Sequence, residues 1–211
     1  MIETKDITYS YDNKTMLSFP DITCKDNDIL LLLGQSGVGK TTLLHLIGGL
    51  MQTSSGSILV NGKDMEKMSS SELDYFRGRN IGIIFQQAHF VKSISVIENL
   101  LLAQSLAGKD ADKKHCQMLL DRLGIGYKAN DKPSNLSQGE KQRLSIGRAI
   151  VNDPQVILAD EPTSALDDHN CEEVLKMLEE QAKSIGAALI IVTHDSRLKD
   201  RIPHQIILDQ S

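Results

Sequence analysis

The sequence has no tryptophan, only three cysteines among 211 residues, and few aromatic residues. Cys24, Cys116 and Cys171 are odd in number and far apart, which argues against a disulfide framework and a zinc site. The longest apolar runs, residues 29–33 and 187–192, are far shorter than the roughly 20 residues that a membrane-spanning helix needs. We therefore expect an aliphatic core, three free and mostly buried thiols, and no transmembrane helix.

A basic surface and a secretion signal are missing as well. The formal net charge is −5 at pH 7, which argues against nucleic-acid binding through a broad basic face. Residues 1–5 contain no apolar signal segment, so we expect a cytoplasmic protein. A chain of this length suits one large domain or two subdomains that share a core.

The most informative stretch begins at residue 34 and reads G-Q-S-G-V-G-K-T, the spacing of a phosphate-binding loop. An apolar run precedes it and a helical pattern at residues 41–47 follows it, as this loop requires. Its glycines allow close wrapping around phosphates, Lys40 adds a positive charge, and the Thr41 hydroxyl can bind Mg²⁺. The predicted phosphate-binding residues are Gly34, Gln35, Ser36, Gly37, Val38, Gly39, Lys40, Thr41 and Thr42.

Four short apolar segments predict the strands of a parallel sheet. They are residues 29–33, 81–85, 156–159 and 188–192. Each segment ends directly before residues that can take part in phosphate chemistry. These are the phosphate loop, Gln86, the pair Asp160 and Glu161, and the pair Thr193 and His194. Because ligands bind beyond the carboxyl ends of parallel strands, we expect the four segments to converge on one nucleotide.

The rest of the chain predicts two additions to this core. Residues 1–28 form short alternating segments with turn signals, which indicates a small antiparallel sheet. Residues from about 89 to 152 carry no strong strand signal and contain helical patterns, which indicates a helical insertion. Residues 87–92 lack a secondary-structure signal, and we expect a mobile loop that joins the two parts.

Two further motifs carry candidate chemistry. On an extended backbone Asp160 and Glu161 project in opposite directions, so Asp160 can hold Mg²⁺ while Glu161 polarises the attacking water. The alternative is a strand end with two solvated acids.

The stretch L-S-Q-G-E-K-Q-R at residues 136–143 begins a helix in which Ser137 and Glu140 have capping-box spacing. A capped helix start is also an anion site, although a purely structural helix start is the alternative.

At these residues the chain resembles the ATP-binding cassette (ABC) ATPases, and the resemblance extends from about residue 3 to residue 209. It implies that the phosphate loop is the Walker A motif, and that Asp160 and Glu161 are the Walker B aspartate and the catalytic glutamate. It also implies that Gln86 binds Mg²⁺ and senses a membrane partner, that residues 164–167 are the D-loop, and that His194 is the switch histidine.

The resemblance also assigns the signature and the adenine site. Residues 136–140 read L-S-Q-G-E where the family has L-S-G-G-Q, but the phosphate-facing positions Ser137 and Gly139 are kept. Tyr11 lies where the family places an aromatic ring that stacks on adenine, and Tyr9 is the competing candidate.

The implied fold class is α/β: a P-loop NTPase core with a parallel sheet, an N-terminal antiparallel β subdomain and an inserted helical subdomain. The core and the β subdomain would occupy about residues 1–88 and 153–211, and the helical subdomain about residues 89–152. The implied partners are transmembrane permease subunits, and a second copy of the chain or a homologous ATPase subunit, with no nucleic acid.

The implied activity is ATP hydrolysis at two sites between head-to-tail cassettes, with ATP and Mg²⁺ bound in each. One chain would supply Lys40, Glu161 and His194 as catalytic residues, and the other would supply Ser137 and Gly139. The implied ligands of Mg²⁺ are Thr41, Gln86 and Asp160.

The short chain and its Lys132-Pro133-Ser134 lead-in to the signature resemble the lipoprotein-release, macrolide-export and cell-division group. Such a chain would lie on the cytoplasmic face of the membrane, where Phe90 and Val91 would contact a short helix of the membrane subunit. The alternative for Phe90 is packing in the core. The alternatives for the protein are a soluble ABC ATPase that acts on DNA or ribosomes, and a mechanical regulator that transports nothing.

Overall fold

The computed structural model describes residues 1–11, 16–163, 168–195, 198–199 and 201–209. Its strands are β1 (Ile2–Ser10), β2 (Met16–Ser18), β3 (Ile22–Cys24), β4 (Ile29–Gly34), β5 (Ser55–Val60), β6 (Lys63–Asp64), β7 (Ile81–Ile84), β8 (Val156–Asp160), β9 (Ala188–Thr193) and β10 (Gln205–Leu208). Its α-helices are α1 (Lys40–Ile47), α2 (Ser70–Asn80), α3 (Val96–Leu106), α4 (Lys113–Arg122), α5 (Gln138–Ile150) and α6 (Asp168–Ser184). Short 3₁₀ turns lie at Met65–Lys67, Gly126–Lys128 and Pro133–Asn135.

The central sheet is parallel throughout, with strand order β10-β4-β9-β8-β7. Alternate residues of β4 enter two different cores, Leu31 and Leu33 on one face of the sheet and Leu30 and Leu32 on the other. Burial on both faces explains why these strands are apolar without alternation. All four predicted strands are confirmed, with ends that differ by about one residue. Nothing in the sequence predicts β10, because this edge strand is short and half-exposed.

The second sheet is antiparallel and has the order β2-β1-β5-β6, with β3 also paired to β1. The antiparallel sheet predicted in residues 1–28 is confirmed in β1, β2 and β3. It is larger than predicted, because β5 and β6 return to it after α1. The sequence of β5 hides this role, since S-G-S-I-L-V begins with residues typical of a turn. The apolar side chains of α1 pack into the core between the two sheets.

The helices α3, α4 and α5 fill the region where no strand was expected, and residues 89–152, all described, contain none. Their buried side chains, such as Leu100, Leu120 and Leu144, belong to the same core as Ile84 and Ile157 of the parallel sheet. The helical insertion is thus packed directly on one face of the sheet. Its behaviour as a separate subdomain, with the boundaries given above, stays a prediction.

One close contact sets the position of α5 against the sheet. A Cβ atom on Gly82 of β7 would lie 2.3 Å from the carbonyl oxygen of Ala149 in α5, so only glycine permits this approach. The helix that begins at the signature is therefore seated on the strand that leads to Gln86.

Two expectations from the composition can also be compared with the structure. The predicted free and buried thiols are confirmed at all three cysteines. Among the described residues, no helix combines the length and the hydropathy that a membrane span requires.

Candidate active site

The phosphate loop joins the end of β4 to the start of α1, as the sequence predicts. Its glycines are required by the backbone. Gly37 and Gly39 have φ angles of 89° and 94°, a region that side chains with a Cβ atom rarely adopt. A Cβ atom on Gly34 would lie 2.6 Å from the carbonyl oxygen of Leu208 in the edge strand β10. The edge strand β10, which the sequence does not predict, therefore packs closely against the phosphate loop, which the sequence predicts most clearly.

Lys40 and Thr41 begin α1 and contact two different parts of the site. The Lys40 ammonium donates hydrogen bonds to the carbonyl oxygens of Gly34 and Gln35, at 2.8 and 2.9 Å. The Thr41 hydroxyl donates to the Oδ2 atom of Asp160, at 3.0 Å. The carboxyl end of β8 thus meets the start of α1, although the two residues lie far apart in the chain.

Asp160 ends β8 as a buried carboxylate with one satisfied oxygen. Its Oδ1 atom is buried without a hydrogen-bond partner among the described residues. Burial raises the pKa of Asp160, while the hydrogen bond from Thr41 lowers it. A buried carboxylate oxygen without a donor, beside a hydroxyl oxygen, suits a hard cation.

The prediction that Glu161 lies on an extended backbone is wrong. Its φ angle is 46°, so the strand ends at Asp160 and the chain turns towards the end of β9. There the Glu161 carboxylate accepts hydrogen bonds from the Thr193 hydroxyl at 2.9 Å and the His194 amide at 3.1 Å. The Nδ1 atom of His194 lies 2.6 Å from the same carboxylate. Residue spacing does not reveal Thr193 as an anchor of Glu161, because this contact joins two strands.

One cavity of about 580 Å³ brings most of the predicted residues together. It is lined by Tyr11, Leu17, Ser36, Gly37, Gly39, Lys40, Thr41, Thr42, Gln86, Glu161 and His194. The Tyr11 side chain is 65% exposed, and its hydroxyl lies 2.5 Å from that of Thr42. The Tyr9 ring packs edge-to-face on Tyr11, with centroids 4.8 Å apart, but does not line the cavity.

Ser137 and Gly139 lie apart from this cavity, at the start of α5. The capping box is confirmed: the Glu140 amide donates to the Ser137 hydroxyl, and the Ser137 amide donates to the Glu140 carboxylate. The Tyr127 hydroxyl also donates to Glu140, at 2.6 Å, a contact that no sequence signal predicts. These hydrogen bonds lower the pKa of Glu140 to about 2, so the carboxylate that replaces the family's glutamine is charged and held in place.

Comparison with known proteins decides the family. Residues 17–164 match the model of the ABC transporter family. The chain belongs to this family. Similar curated proteins include the lipoprotein-releasing system ATP-binding protein LolD of Idiomarina loihiensis, 36% identical over 99% of this chain and 94% of the relative. LolD of Bacteroides fragilis is 35% identical over 98% of both chains.

Solved ABC cassettes have the same fold. The dimeric post-hydrolysis state of the cassette MJ0796 bound to ADP and Pi superposes with a TM-score of 0.87, at 28% identity, over 100% of this chain and 95% of that one. A second dimeric structure of MJ0796 has a TM-score of 0.86 over 99% of this chain. The α/β cassette fold expected from the sequence is therefore confirmed, and the protein is an ATPase that uses ATP and Mg²⁺.

The described residues of this ABC ATPase fit Mg²⁺ as a cation shared with a nucleotide. They contain no group of three or more His, Cys, Asp or Glu side chains that could hold a metal ion alone. Mg²⁺ usually takes one or two protein oxygens and completes its shell with phosphates and waters. The Thr41 hydroxyl and the Asp160 carboxylate, with Gln86 at the same cavity, match that need. The expected D-loop, residues 164–167, lies outside the described residues.

Proposed function

We propose that this chain is the ATPase subunit of a lipoprotein-release-type complex. It binds transmembrane permease subunits from the cytoplasmic face of the membrane and drives them through ATP-dependent pairing of two cassettes. The observation that carries the proposal is the cavity in which Lys40, Glu161 and His194 face the same space. Relatives named LolD that match nearly the whole chain support the membrane role.

The residues of the cavity divide nucleotide binding among them. When the nucleotide binds, the Lys40 ammonium gives up its hydrogen bonds to the carbonyl oxygens of the loop. It then binds oxygens of the β- and γ-phosphates instead. Tyr11 stacks on adenine after its hydroxyl leaves Thr42. Thr41, Asp160 and Gln86 would hold Mg²⁺, which would neutralise charge on the phosphates.

Hydrolysis depends on Glu161 and His194. Glu161 positions the water that attacks the γ-phosphate in line, and it accepts a proton from that water. The Thr193 hydroxyl and the His194 amide orient its carboxylate, and the His194 ring stabilises charge on the transferring group. The same two contacts prevent Glu161 from relaxing into solvent, so the base is in place before the nucleotide arrives.

A second cassette completes each site. Ser137 and Gly139 do not line the cavity of their own chain, and they lie at the exposed, capped start of a helix, which suits a phosphate bound by another chain. A copy of this chain or a homologous subunit supplies these groups in a head-to-tail pair. The dimeric arrangement of the MJ0796 cassettes supports this pairing.

Copurification tests the membrane role. We expect the affinity-tagged chain, recovered from detergent-solubilised membranes of its own organism, to carry permease subunits in fixed stoichiometry. Subunits with few spans and a large extramembrane domain would favour mechanical work, and many spans around a cavity would favour transport. Recovery with ribosomes or nucleic acid, and with no membrane protein, would overturn the proposal.

The groove for the partner lies where the segment after Gln86 meets the helical insertion. Its volume is about 960 Å³, and its lining includes Ala88, Phe90, Lys92 and Pro133. Phe90 is half-buried: one side packs against the core, and the Arg148 guanidinium lies 5.2 Å from its ring centroid. Val91 beside it is 44% exposed. A half-buried ring can both anchor the segment and contact a helix of the membrane subunit.

Phe90→Asp is expected to weaken association with the membrane partner and to leave ATP binding by the isolated chain nearly intact. A charged side chain in an apolar contact makes association with the partner less favourable. ATP binding should persist because Phe90 lines the groove and not the nucleotide cavity. Copurification yield and nucleotide affinity are measured together, with Leu106→Asp, an exposed position at the end of α3, as the matched control. Loss of both properties would support core packing alone, and retention of both would place the partner elsewhere.

A further inference from the structure

Tyr127 is an exposed aromatic residue that contacts the signature from outside its helix. It lies in the 3₁₀ turn Gly126–Lys128, which follows α4 in the chain, and it is 75% exposed. Its hydroxyl donates a hydrogen bond to the Oε1 atom of Glu140 at 2.6 Å, the length of a bond to a charged carboxylate. The ring stays largely in solvent, so the hydroxyl is the part of Tyr127 that reaches the signature.

The Glu140 carboxylate is held at both of its oxygens, by donors from two different elements. Oε1 accepts from Tyr127, and Oε2 accepts from the Ser137 amide at 2.7 Å. The Ser137 amide belongs to the capping box and moves with α5, whereas Tyr127 belongs to a turn outside that helix. The carboxylate keeps a fixed direction only while both donors are present, because a single hydrogen bond leaves it free to rotate.

The turn that carries Tyr127 is itself anchored to α4. The Gln117 side chain donates to the Gly126 carbonyl oxygen at 3.3 Å and to the Asp121 carboxylate at 2.9 Å. A Cβ atom on Gly126 would lie 1.7 Å from the Oδ1 atom of Asp121, so a larger residue would displace this carboxylate from Gln117. The turn therefore gives the Tyr127 side chain a fixed origin.

Two backbone amides at the start of α5 have no partner within the described chain. The amides of Gln138 and Gly139 donate no hydrogen bond there, while that of Glu140 donates to the Ser137 hydroxyl. Free amides at a helix start attract an anion. A nucleotide phosphate and the Glu140 carboxylate are both anions, so a carboxylate that is free to move competes with the phosphate for these amides.

We propose that Tyr127 is a positioning residue that holds the Glu140 carboxylate away from the free amides of Gln138 and Gly139. It thereby keeps the signature open to the phosphate of a nucleotide on the other cassette. This inference rests on the proposed function, in which the signature of one chain completes the site of another. Glutamine, which the family has at this position, carries no charge and does not need this restraint.

Tyr127→Phe tests the proposal, because it removes only the hydroxyl of an exposed residue and should not disturb the fold. We expect the ATP concentration for half-maximal hydrolysis to rise about fivefold, on the scale of one hydrogen bond, and kcat to change by less than about twofold. Nucleotide affinity of the isolated chain should not change, because Tyr127 does not line the nucleotide cavity. Tyr75→Phe, at an exposed tyrosine of α2, is the matched control and should behave like the parent chain.

The Glu140→Gln background separates a positioning role from a purely structural one. Glutamine keeps the shape of the side chain and can accept a hydrogen bond from Tyr127, but it has no charge that competes with phosphate. In this background Tyr127→Phe should raise the half-maximal ATP concentration by less than about 1.5-fold, so the two substitutions are coupled. A hydroxyl that only stabilised the turn would cause the same loss in both backgrounds.

Amide exchange measured by NMR follows the carboxylate in the absence of nucleotide. The Ser137 amide donates to the Glu140 carboxylate, so its exchange reports whether that carboxylate stays in place. We expect the exchange rate of the Ser137 amide to rise about fivefold in Tyr127→Phe, on the same scale of one hydrogen bond, and to stay unchanged in Tyr75→Phe.

Three results would overturn the inference. The first is a half-maximal ATP concentration for Tyr127→Phe equal to that of Tyr75→Phe. The second is an equal loss with glutamate and with glutamine at residue 140, and the third is an unchanged exchange rate of the Ser137 amide in Tyr127→Phe. Failure of the proposed function is a separate outcome, because it would appear as absent ATP hydrolysis in the parent chain. The exchange of the Ser137 amide still decides in that case whether Tyr127 holds the carboxylate.

Discussion

Glu161→Gln is expected to reduce kcat for ATP hydrolysis by about 10²-fold or more, the scale of losing a positioned base, and to leave ATP binding intact. Glutamine has the same shape, and its oxygen can still accept a hydrogen bond from Thr193 or His194, so the local fold should persist. It cannot take a proton from the attacking water. Phosphate release at saturating ATP measures the loss, and equilibrium nucleotide binding measures what remains.

The same variant should accumulate an ATP-bound dimer, because in the proposed function bound ATP drives the pairing of the cassettes and this variant does not consume it. Size-exclusion chromatography with ATP and Mg²⁺ detects this species. Glu172→Gln, the same change at an exposed position of α6, is the control and should turn over ATP like the wild type. Turnover near the wild-type rate in Glu161→Gln would sink the assignment of the base.

Two inactive variants are expected to recover activity when they are mixed, if each site is shared between chains. Ser137→Arg blocks the signature, and Lys40→Ala removes the phosphate-binding charge. Each alone should lose about 10²-fold in kcat, the scale of removing one group that stabilises the transition state. Ser137→Arg should still bind nucleotide, because Ser137 does not line the cavity of its own chain.

A mixed dimer joins the intact loop of one variant to the intact signature of the other. Random pairing at equal concentrations makes half of the dimers mixed, each with one intact site of two, so about a quarter of wild-type turnover should return. Ser105→Arg, on an exposed part of α3, is the matched control and should remain active alone. Turnover that stays at the level of the separate variants at every mixing ratio would contradict a shared site.

Much of this site can be predicted from the sequence because its signals are local. The phosphate loop needs glycines at fixed spacing, and Gly37 and Gly39 have the positive φ angles that explain them. Residues 156–159 and 188–192 are apolar because both faces of their sheet are buried. The capping box of Ser137 and Glu140 joins residues only three apart. A motif whose residues all lie close together in the chain can be recognised from the sequence alone.

The tertiary structure alone decides the contacts between distant residues. Examples are Thr41 with Asp160, Thr193 with Glu161, and Tyr127 with Glu140. The turn at Glu161 is of this kind, because its φ of 46° depends on contacts with β9 rather than on its own preference. The sequence by itself determined the family, the strands and the phosphate loop. Contacts between the ends of β8 and β9 decided where the Glu161 carboxylate points, because its direction depends on which remote groups come within hydrogen-bond distance.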